Sequence, residues 1–356
     1  MNSLVTVRVA RRSLKVVLGL YLGTVVVVTV AHVWGRPSNN FIIFRTAVAT
    51  LLAHQDLYAP HPAQHYDLYK YSPTFALLFL PFALIPYGVS LALWNLCNMV
   101  ALVASVRRLL VADQAAIVLA LALPTFAVAT SNAQSNALVT ALIIAAFLAY
   151  EAERPWRATL AIVAGASVKI FPMAALTFAV FHRRRWRAAI AAATLGAAAI
   201  LLPFVVIRPS ELRVLYASWH RVGEVDALDR GSSVMQIVHG LLGVDWPNWP
   251  FQVAGTALLL LPLLLRRARW GDPAFRRLVL ASLLVYTVLF NHQAERASFV
   301  IAATGVGLWL VSSTHRRTAW RSALAVGAAF GMHSVGCLPV WVAIQVELYA
   351  AASRDA

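Results

Sequence analysis

Long apolar segments recur along almost the whole chain, and short clusters of arginine separate them. The first segment, residues 14–34, is long enough to cross a bilayer, which takes about 20 apolar residues of α-helix. Only 12% of the residues are charged and 60% are hydrophobic, whereas a soluble domain carries about 25% charged residues. The sequence therefore predicts an all-α, polytopic membrane protein. The apolar core of residues 14–34 is longer than that of a signal peptide, so we expect an uncleaved first helix.

The arginine clusters predict the orientation of the segments, because Lys and Arg concentrate in cytoplasmic loops. Placing the N-terminal cluster Arg8, Arg11 and Arg12 in the cytoplasm makes residues 35–86 the first outer loop and residues 208–248 the second. The predicted spans, about nine, are residues 14–34, 87–106, 115–130, 137–150, 189–207, 251–265, 278–290, 299–312 and 323–342. This topology leaves the C-terminus outside. We expect one domain, residues 1–356, in the cell inner (plasma) membrane.

One apolar run, residues 158–181, conflicts with a simple crossing. Arginines flank it on both sides, so a single span would carry one cluster to the outer face, against the positive-inside tendency. Lys169 and Pro172 lie at its middle, and Pro breaks a helix. Each half is too short to span a bilayer. The pattern predicts a re-entrant hairpin with both ends in the cytoplasm and Lys169 near the tip.

Polar side chains concentrate in three segments that this topology places at the outer face: the first outer loop, the second outer loop and residues 291–296. An interfacial helix is predicted over 41–53, where polar residues are interleaved among apolar ones. A second is predicted around Ser72-Pro73, where Tyr69, Tyr71 and Phe75 suit an aromatic belt, and a third near His239. Together the three segments suggest the mouth of a cavity. Ordinary solvated loops remain the alternative.

Lys169 is the basic residue that the topology places deepest in the bilayer. A charge there costs about 2.5–3.5 kcal/mol, and either an anionic ligand such as phosphate or an internal carboxylate would offset that cost. Asn132, Gln134 and Asn136 end a predicted span and either bind sugar hydroxyls or cap a turn. The sequence contains no nucleotide-binding Gly loop and no His/Cys metal spacing. We expect no cofactor, no metal and no nucleic-acid partner.

Several motifs occur in an order that resembles a known family. They are L-Y-A-P, Y-K-Y-S-P-T-F-A-L-L-F-L-P, L-W-N-L-C-N, N-A-Q-S-N-A-L and A-S-V-K-I-F-P. The series resembles the GT-C membrane glycosyltransferases of family 87, the polyprenyl-phosphate-mannose-dependent α-mannosyltransferase type, over roughly residues 36–310. The resemblance implies a GT-C-like transmembrane bundle.

The resemblance also implies an inverting transferase that works at the outer face. Its donor is a polyprenyl-phosphate sugar, a mannose-like hexose or a pentose. Its acceptor is a lipid or glycan, and a carboxylate of the first outer loop accepts the proton of the acceptor hydroxyl. Lys169, with Arg45 or Arg296, would then hold the donor phosphate. The residues that would line the cavity or contact sugar are Asn40, Tyr71, Asn132, Gln134, Asn136 and His292.

One position departs from the family pattern. The family places its catalytic Asp just before the first interfacial helix, where this chain has Asn39 and Asn40. An amide cannot act as a general base, so the base is expected at Asp56, Glu295 or Asp67. The alternative is a non-catalytic or transporter-like membrane protein that binds lipid-linked sugar.

Overall fold

The computed structural model describes residues 2–312 and 318–350. The α-helices, numbered in chain order, are α1 (Asn2–Trp34), α2 (Asn39–Leu52), α3 (Pro73–Leu78), α4 (Leu80–Ala83), α5 (Tyr87–Leu109), α6 (Ala112–Ser131), α7 (Asn136–Glu151), α8 (Pro155–Val168), α9 (Arg185–Leu201), α10 (Pro209–Asp226), α11 (Val234–Leu242), α12 (Asn248–Leu265), α13 (Pro273–Leu289), α14 (Phe299–Ser312), α15 (Ala319–Gly331) and α16 (Ser334–Ala350). The 3-10 helices are Phe171–Phe181, Leu202–Val205, Arg267–Arg269 and Arg296–Ser298. The described residues include no β-strand, which confirms the all-α prediction.

Five helical segments in the described residues are long and apolar enough to cross a membrane. They are Arg12–Trp34, Tyr87–Leu109, Ala112–Ser131, Arg185–Val205 and Asn248–Leu265. Shorter apolar helices lie between and after them, including α7, α14 and α16. The predicted class of a multi-pass helical membrane protein is therefore confirmed.

The chain forms two compact units, and each draws on separate stretches of sequence. The hairpin unit consists of Tyr21–Leu102 and Ala129–Asp226. The C-terminal unit consists of Met1–Leu20, Val103–Val128 and Ala227–Ala356. The expectation of a single domain stays a prediction.

The run predicted as a hairpin over 158–181 does fold back on itself. Lys169 ends α8 in an extended conformation, and the chain then returns as the 3-10 helix Phe171–Phe181. His182 Nε2 lies 2.8 Å from Glu153 Oε2, so both ends of the hairpin meet. The returning arm is a 3-10 helix. Because a 3-10 helix rises about 2.0 Å per residue and an α-helix about 1.5 Å, its 11 residues match the length of the 14-residue α8.

Helix α2 confirms the helix predicted over 41–53 and packs on the helices that follow Ser72. Phe44 of α2 meets Phe75 and Phe79 edge-on, with ring centroids 5.3 Å apart in both pairs. It also meets Trp94 of α5 at 6.0 Å. Edge-on pairs of this kind are worth about 0.5–1.5 kcal/mol beyond their buried area. This aromatic cluster packs α2 and α3 against the first turns of α5.

The end of the chain differs from the prediction. Residues 323–342 were expected to form one span with the C-terminus beyond it, but the chain turns at Met332, whose φ is 46°. Helices α15 and α16 are separated by this turn, and Arg321 at the start of α15 pairs with Glu347 near the end of α16. Helices α15 and α16 are therefore antiparallel, and the end of α16 lies beside the start of α15. The prediction of one crossing over residues 323–342 is wrong.

Candidate functional site

Four of the predicted site residues come together at the tip of the hairpin. Lys169 Nζ donates to Asn136 Oδ1 at 2.9 Å and to Gln134 Oε1 at 3.2 Å. The Tyr71 ring lies 5.9 Å from the same ammonium, and the Tyr71 hydroxyl donates to Gln134 Oε1 at 3.3 Å. We call Tyr71, Gln134, Asn136 and Lys169 the Lys169 centre.

The turn that carries Gln134 is held by the L-W-N-L-C-N motif of α5. Trp94 Nε1 donates to the carbonyl of Ala133 at 2.9 Å, and Ala133 has a left-handed backbone with φ of 48°. Asn98 Oδ1 accepts from the backbone N–H of Leu138 at 3.0 Å, at the start of α7. A motif about 40 residues upstream thus fixes the two amides that contact Lys169.

The other side of the centre is held by the Y-K-Y-S-P motif. The Ser72 hydroxyl accepts from Phe75 N–H and so caps α3. The same hydroxyl donates to the carbonyl of Ser167, two residues before Lys169. Ser72 therefore links the aromatic cluster, through α3, to the hairpin tip.

Buried polar atoms beside Lys169 have hydrogen-bonding capacity that the protein does not use. Asn136 is 0% exposed, and its Nδ2 has no hydrogen-bond partner within the protein. The buried hydroxyl of the preceding Ser135 also lacks one. Leaving a buried donor unpaired costs about 1–3 kcal/mol. The centre therefore offers a cation and unused polar atoms to a ligand.

Asn40 reaches the same turn from α2. Its Nδ2 donates to the carbonyl of Asn132 at 2.9 Å. The neighbouring Asn39 accepts from the backbone N–H of Tyr66 through Oδ1 at 3.1 Å. The position where the family pattern has an acid is thus occupied by an amide that hydrogen-bonds the Gln134 turn.

A second polar site lies in the same unit, in an open groove of about 270 Å³ between residues 56–68 and α10. Its polar lining is Asp56, Ser218, Arg221 and Asp226, and its apolar lining is Tyr58, Leu68, Val222 and Val225. We call this site the Asp56 groove. Two carboxylates and one guanidinium therefore line the groove.

The Asp56 carboxylate is oriented by both of its oxygens. Oδ1 accepts from the backbone N–H of Tyr58 at 3.1 Å, and Oδ2 accepts from the Ser218 hydroxyl at 2.9 Å. Arg221 Nη2 donates to the same Ser218 hydroxyl at 2.8 Å. Ser218 is buried. The carboxylate therefore stays half-exposed and fixed at the edge of the groove.

Tyr58 joins the groove to the Lys169 centre. Its hydroxyl donates to the carbonyl of Tyr71 at 2.8 Å, and Tyr71 is part of the centre. Burial raises the pKa of Tyr58 above its usual value, and the nearby Tyr216 and Asp56 raise it further. Burial likewise raises the pKa of Tyr69, beside it. Tyr58 therefore stays protonated and serves as a hydrogen-bond donor.

Helix α10 is held against the segment that precedes α3 by contacts with Lys70. Asp226 Oδ1 lies 3.1 Å from Lys70 Nζ. Trp219 Nε1 donates to the carbonyl of Lys70 at 3.0 Å. These contacts, together with the bond between Ser218 and Asp56, form the second wall of the groove.

The remaining predicted residues have other surroundings. Asp67 is exposed, accepts from Leu68 N–H at 2.8 Å and lies 3.8 Å from Lys70. Arg45 donates to the carbonyls of Phe82 at 3.0 Å and Ile85 at 2.7 Å, beside the end of α4.

Three predicted residues belong to the C-terminal unit. The carboxylate of Glu295 caps the 3-10 turn Arg296–Ser298. Arg296 is exposed within that turn. His292 Nδ1 lies 3.1 Å from Gln252 Nε2.

The relationship to known proteins follows from a family comparison. The sequence profile of glycosyltransferase family 87 matches residues 69–291, well over half of the chain. The chain belongs to glycosyltransferase family 87. The inferred resemblance is thereby confirmed at the level of the family, and the protein is a membrane glycosyltransferase by family. No curated protein matches the chain.

The family 87 match divides the predicted site residues. Those within it are Tyr71, Asn132, Gln134, Asn136 and Lys169. Those outside it are Asn40, Arg45, Asp56, Asp67, His292, Glu295 and Arg296. The whole Lys169 centre thus lies within the family 87 match. The match does not include any of the three carboxylates that were predicted as bases.

The groove partners of Asp56 were not predicted as site residues of this family 87 protein. Ser218, Arg221, Val222 and Val225 recur at intervals of three and four residues, which places them on one face of a helix. That spacing was the available signal. Within residues 2–312 and 318–350, no three His, Cys, Asp or Glu side chains are grouped so as to hold a metal ion.

Proposed function

We propose that this family 87 protein transfers a mannose-like hexose or a pentose from a polyprenyl-phosphate donor to a lipid or glycan acceptor, with inversion at the anomeric carbon. The transfer takes place at the outer face of the cell inner membrane, with the N-terminus in the cytoplasm. The observation that carries the proposal is the Lys169 centre, where a cation and two amides meet at the tip of a hairpin.

Lys169 holds the phosphate of the donor in this proposal. An ammonium is a point-charge partner for phosphate, and a charge held at membrane depth marks a functional site by default. The unused Nδ2 of Asn136 adds a neutral donor to the same place. The Gln134 side chain, which Lys169 and Tyr71 both contact, orients the sugar or the phosphate.

Asp56 is the best supported of the three candidate bases. It lines a groove whose Tyr58 hydroxyl donates to the backbone carbonyl of Tyr71 in the Lys169 centre. A general base must come within hydrogen-bond reach of the hydroxyl or one water away, and a half-exposed carboxylate at the edge of a groove allows this approach. Asp67 is engaged by Lys70, and Glu295 caps a turn.

The acceptor binds in the Asp56 groove. Its hydroxyl proton passes to the Asp56 carboxylate as the hydroxyl oxygen forms a bond to the anomeric carbon. The bond between that carbon and the donor phosphate oxygen breaks, and the electron pair leaves with polyprenyl phosphate. Lys169 stabilises the developing phosphate charge, which is the kind of electrostatic stabilisation that lowers a barrier most.

A second function, a non-catalytic or transporter-like protein that binds lipid-linked sugar, is favoured by one observation. Asn40 occupies the position where the family pattern has its acid, and its amide donates to the Asn132 carbonyl. If no other carboxylate replaces that acid, the Lys169 centre would bind a lipid phosphate without transfer.

The test is transfer of radiolabelled sugar from polyprenyl-phosphate mannose to a membrane extract by the purified protein. Asp56→Asn is expected to lower kcat by about 10²–10⁴-fold, the usual contribution of a general base. Asp67→Asn and Glu295→Gln serve as matched controls and are expected to lower it only a few-fold. Full turnover by Asp56→Asn would refute this base, and no transfer from any lipid-linked donor would favour the second function.

A further inference from the structure

The base of the hairpin gathers arginines from two stretches of sequence. The contact between Glu153 and His182 brings the start of α8 next to the link that leads into α9. His182 Nδ1 also accepts from Arg184 N–H at 3.0 Å, which fixes the start of that link. The arginines at this end, all exposed, are Arg154, Arg157, Arg183, Arg184, Arg185 and Arg187. We call these six residues the arginine belt.

Two tryptophans accompany the belt. Trp156 is 47% exposed and Trp186 is 58% exposed. Each is followed directly by an arginine in the first turn of α8 or α9, and Arg187 lies 5.4 Å from the Trp186 ring. Exposed Trp with Arg is the composition of a membrane–water interface. Charge and aromatic character therefore both point to a lipid headgroup layer.

Local helix electrostatics do not account for this placement. The N-terminus of a helix carries partial positive charge, so basic side chains in the first turn are unfavourable. Arg154 and Arg157 flank the first turn of α8, and Arg184, Arg185 and Arg187 do the same for α9. Glu153 and the neighbouring Glu151 are the carboxylates of this end. Because six arginines face only two glutamates at two helix N-termini, most of the positive charge at this end is not compensated by the protein's carboxylates.

The arm between the belt and Lys169 is the element that most needs support at both ends. It is an 11-residue 3-10 helix, although 3-10 runs longer than three or four residues are uncommon because their hydrogen bonds are poorly aligned. At the tip it is fixed through Ser72 and the Lys169 contacts. At the base it ends at His182, within the belt.

We propose that the arginine belt binds the phosphates of anionic membrane lipids and thereby holds the hairpin that presents Lys169. The partner is the anionic lipid leaflet at the end of the hairpin away from Lys169. Clusters of four to eight Lys or Arg beside a membrane helix bind anionic headgroups. This proposal does not require the transferase function, because it concerns the stability of the hairpin alone.

The test is hydrogen exchange of the amides of residues 171–181 in nanodiscs. Discs of phosphatidylcholine are compared with discs that also contain phosphatidylglycerol as the anionic lipid. Because each basic residue near an anionic surface contributes about 1 kcal/mol, phosphatidylglycerol is expected to slow exchange of the arm by on the order of tenfold or more. In R183Q/R184Q/R185Q most of that slowing is lost.

The matched control is R107Q/R108Q/R267Q, which removes the same charge from exposed arginines elsewhere in the chain. This variant is expected to keep the full effect of phosphatidylglycerol on the arm. If the belt variant does not fold, the wild-type protein is measured at about 1 M salt, where the Debye length of about 3 Å should abolish the effect. The proposal is overturned if phosphatidylglycerol does not slow the arm, if both variants respond alike, or if inorganic phosphate reproduces the effect.

Discussion

The Lys169 centre and the Asp56 groove are neighbours in one unit and differ in charge, enclosure and origin. The centre has a cation held by two amides, which the L-W-N-L-C-N motif positions. The groove is open and has two carboxylates, Asp56 and Asp226 at the end of α10. The centre lies within the family match, but Asp56 precedes it. Of the two groove carboxylates, Asp226 lies within the match and Asp56 does not, so the family profile covers the whole of the centre but only part of the groove.

The sharpest way to separate the two sites is to remove the cation. Lys169→Met is expected to weaken the binding of polyprenyl phosphate by about 10- to 100-fold, because a hydrogen bond to a charged group is worth about 1.5–3 kcal/mol. Binding is measured by calorimetry in detergent. Lys15→Met, an exposed lysine of α1, is the matched control and should bind as the wild type does.

Asp56→Asn is expected to leave the affinity for polyprenyl phosphate unchanged even if turnover falls, because Asp56 lies in the groove and not in the Lys169 centre. Equal affinity of the Lys169→Met and wild-type proteins would contradict the assignment of the phosphate to the Lys169 centre. A loss of affinity in Asp56→Asn would mean that the two sites bind one ligand together.

A smaller effect is expected where the hairpin arms touch. A Cβ added to Gly165 would lie 2.7 Å from Pro172 Cγ and 2.9 Å from Pro172 Cβ, within the rigid ring of the opposite arm. Gly165→Ala is therefore expected to destabilise the protein by about 1–3 kcal/mol, the usual cost of overpacking. Thermal unfolding in detergent measures it.

Gly196 on α9 provides the control for this change, because a Cβ added there meets nothing within 4 Å. Gly196→Ala should not lower the melting temperature. If the two variants melt alike, the close packing at the hairpin tip does not support Lys169. Gly165→Ala should also weaken polyprenyl phosphate binding, because Lys169 N–H bonds to the carbonyl of Gly165 at 2.8 Å.

The sequence predicted the Lys169 centre better than the Asp56 groove for a physical reason. The hairpin could be predicted from residues that are close together in the sequence. Arginines flank residues 158–181, and Lys169 and Pro172 lie between them. The bond between Asp56 and Ser218 joins residues 162 positions apart, and no local pattern encodes such a pairing. Similarly, the sequence did not predict the turn between α15 and α16, because its left-handed residue is Met332 and a non-Gly residue rarely adopts that conformation.

The smallest expected effect is that of low pH on the stability contributed by Glu211, which lies beside the Asp56 groove. Glu211 Oε2 accepts from Arg208 N–H at 2.9 Å and lies 3.0 Å from His54 Nδ1, beside a second cavity of about 130 Å³ that Asp56 also lines. These bonds lower the pKa of Glu211 below its ordinary value of 4.5, the backbone bond from Arg208 contributing most.

A depressed pKa adds stability at pH values above the unfolded-state pKa, and that stability is lost as the pH falls through the folded-state pKa. The melting temperature of the wild type should therefore slightly exceed that of Glu211→Gln at pH 7, and the difference should shrink as the pH falls below 4.5 and through the folded-state pKa. Glu211 lies beside the groove and not in the Lys169 centre, so acidification should change the affinity for polyprenyl phosphate equally in the wild type and in Glu211→Gln. A different change in the two proteins would show that the two sites are coupled.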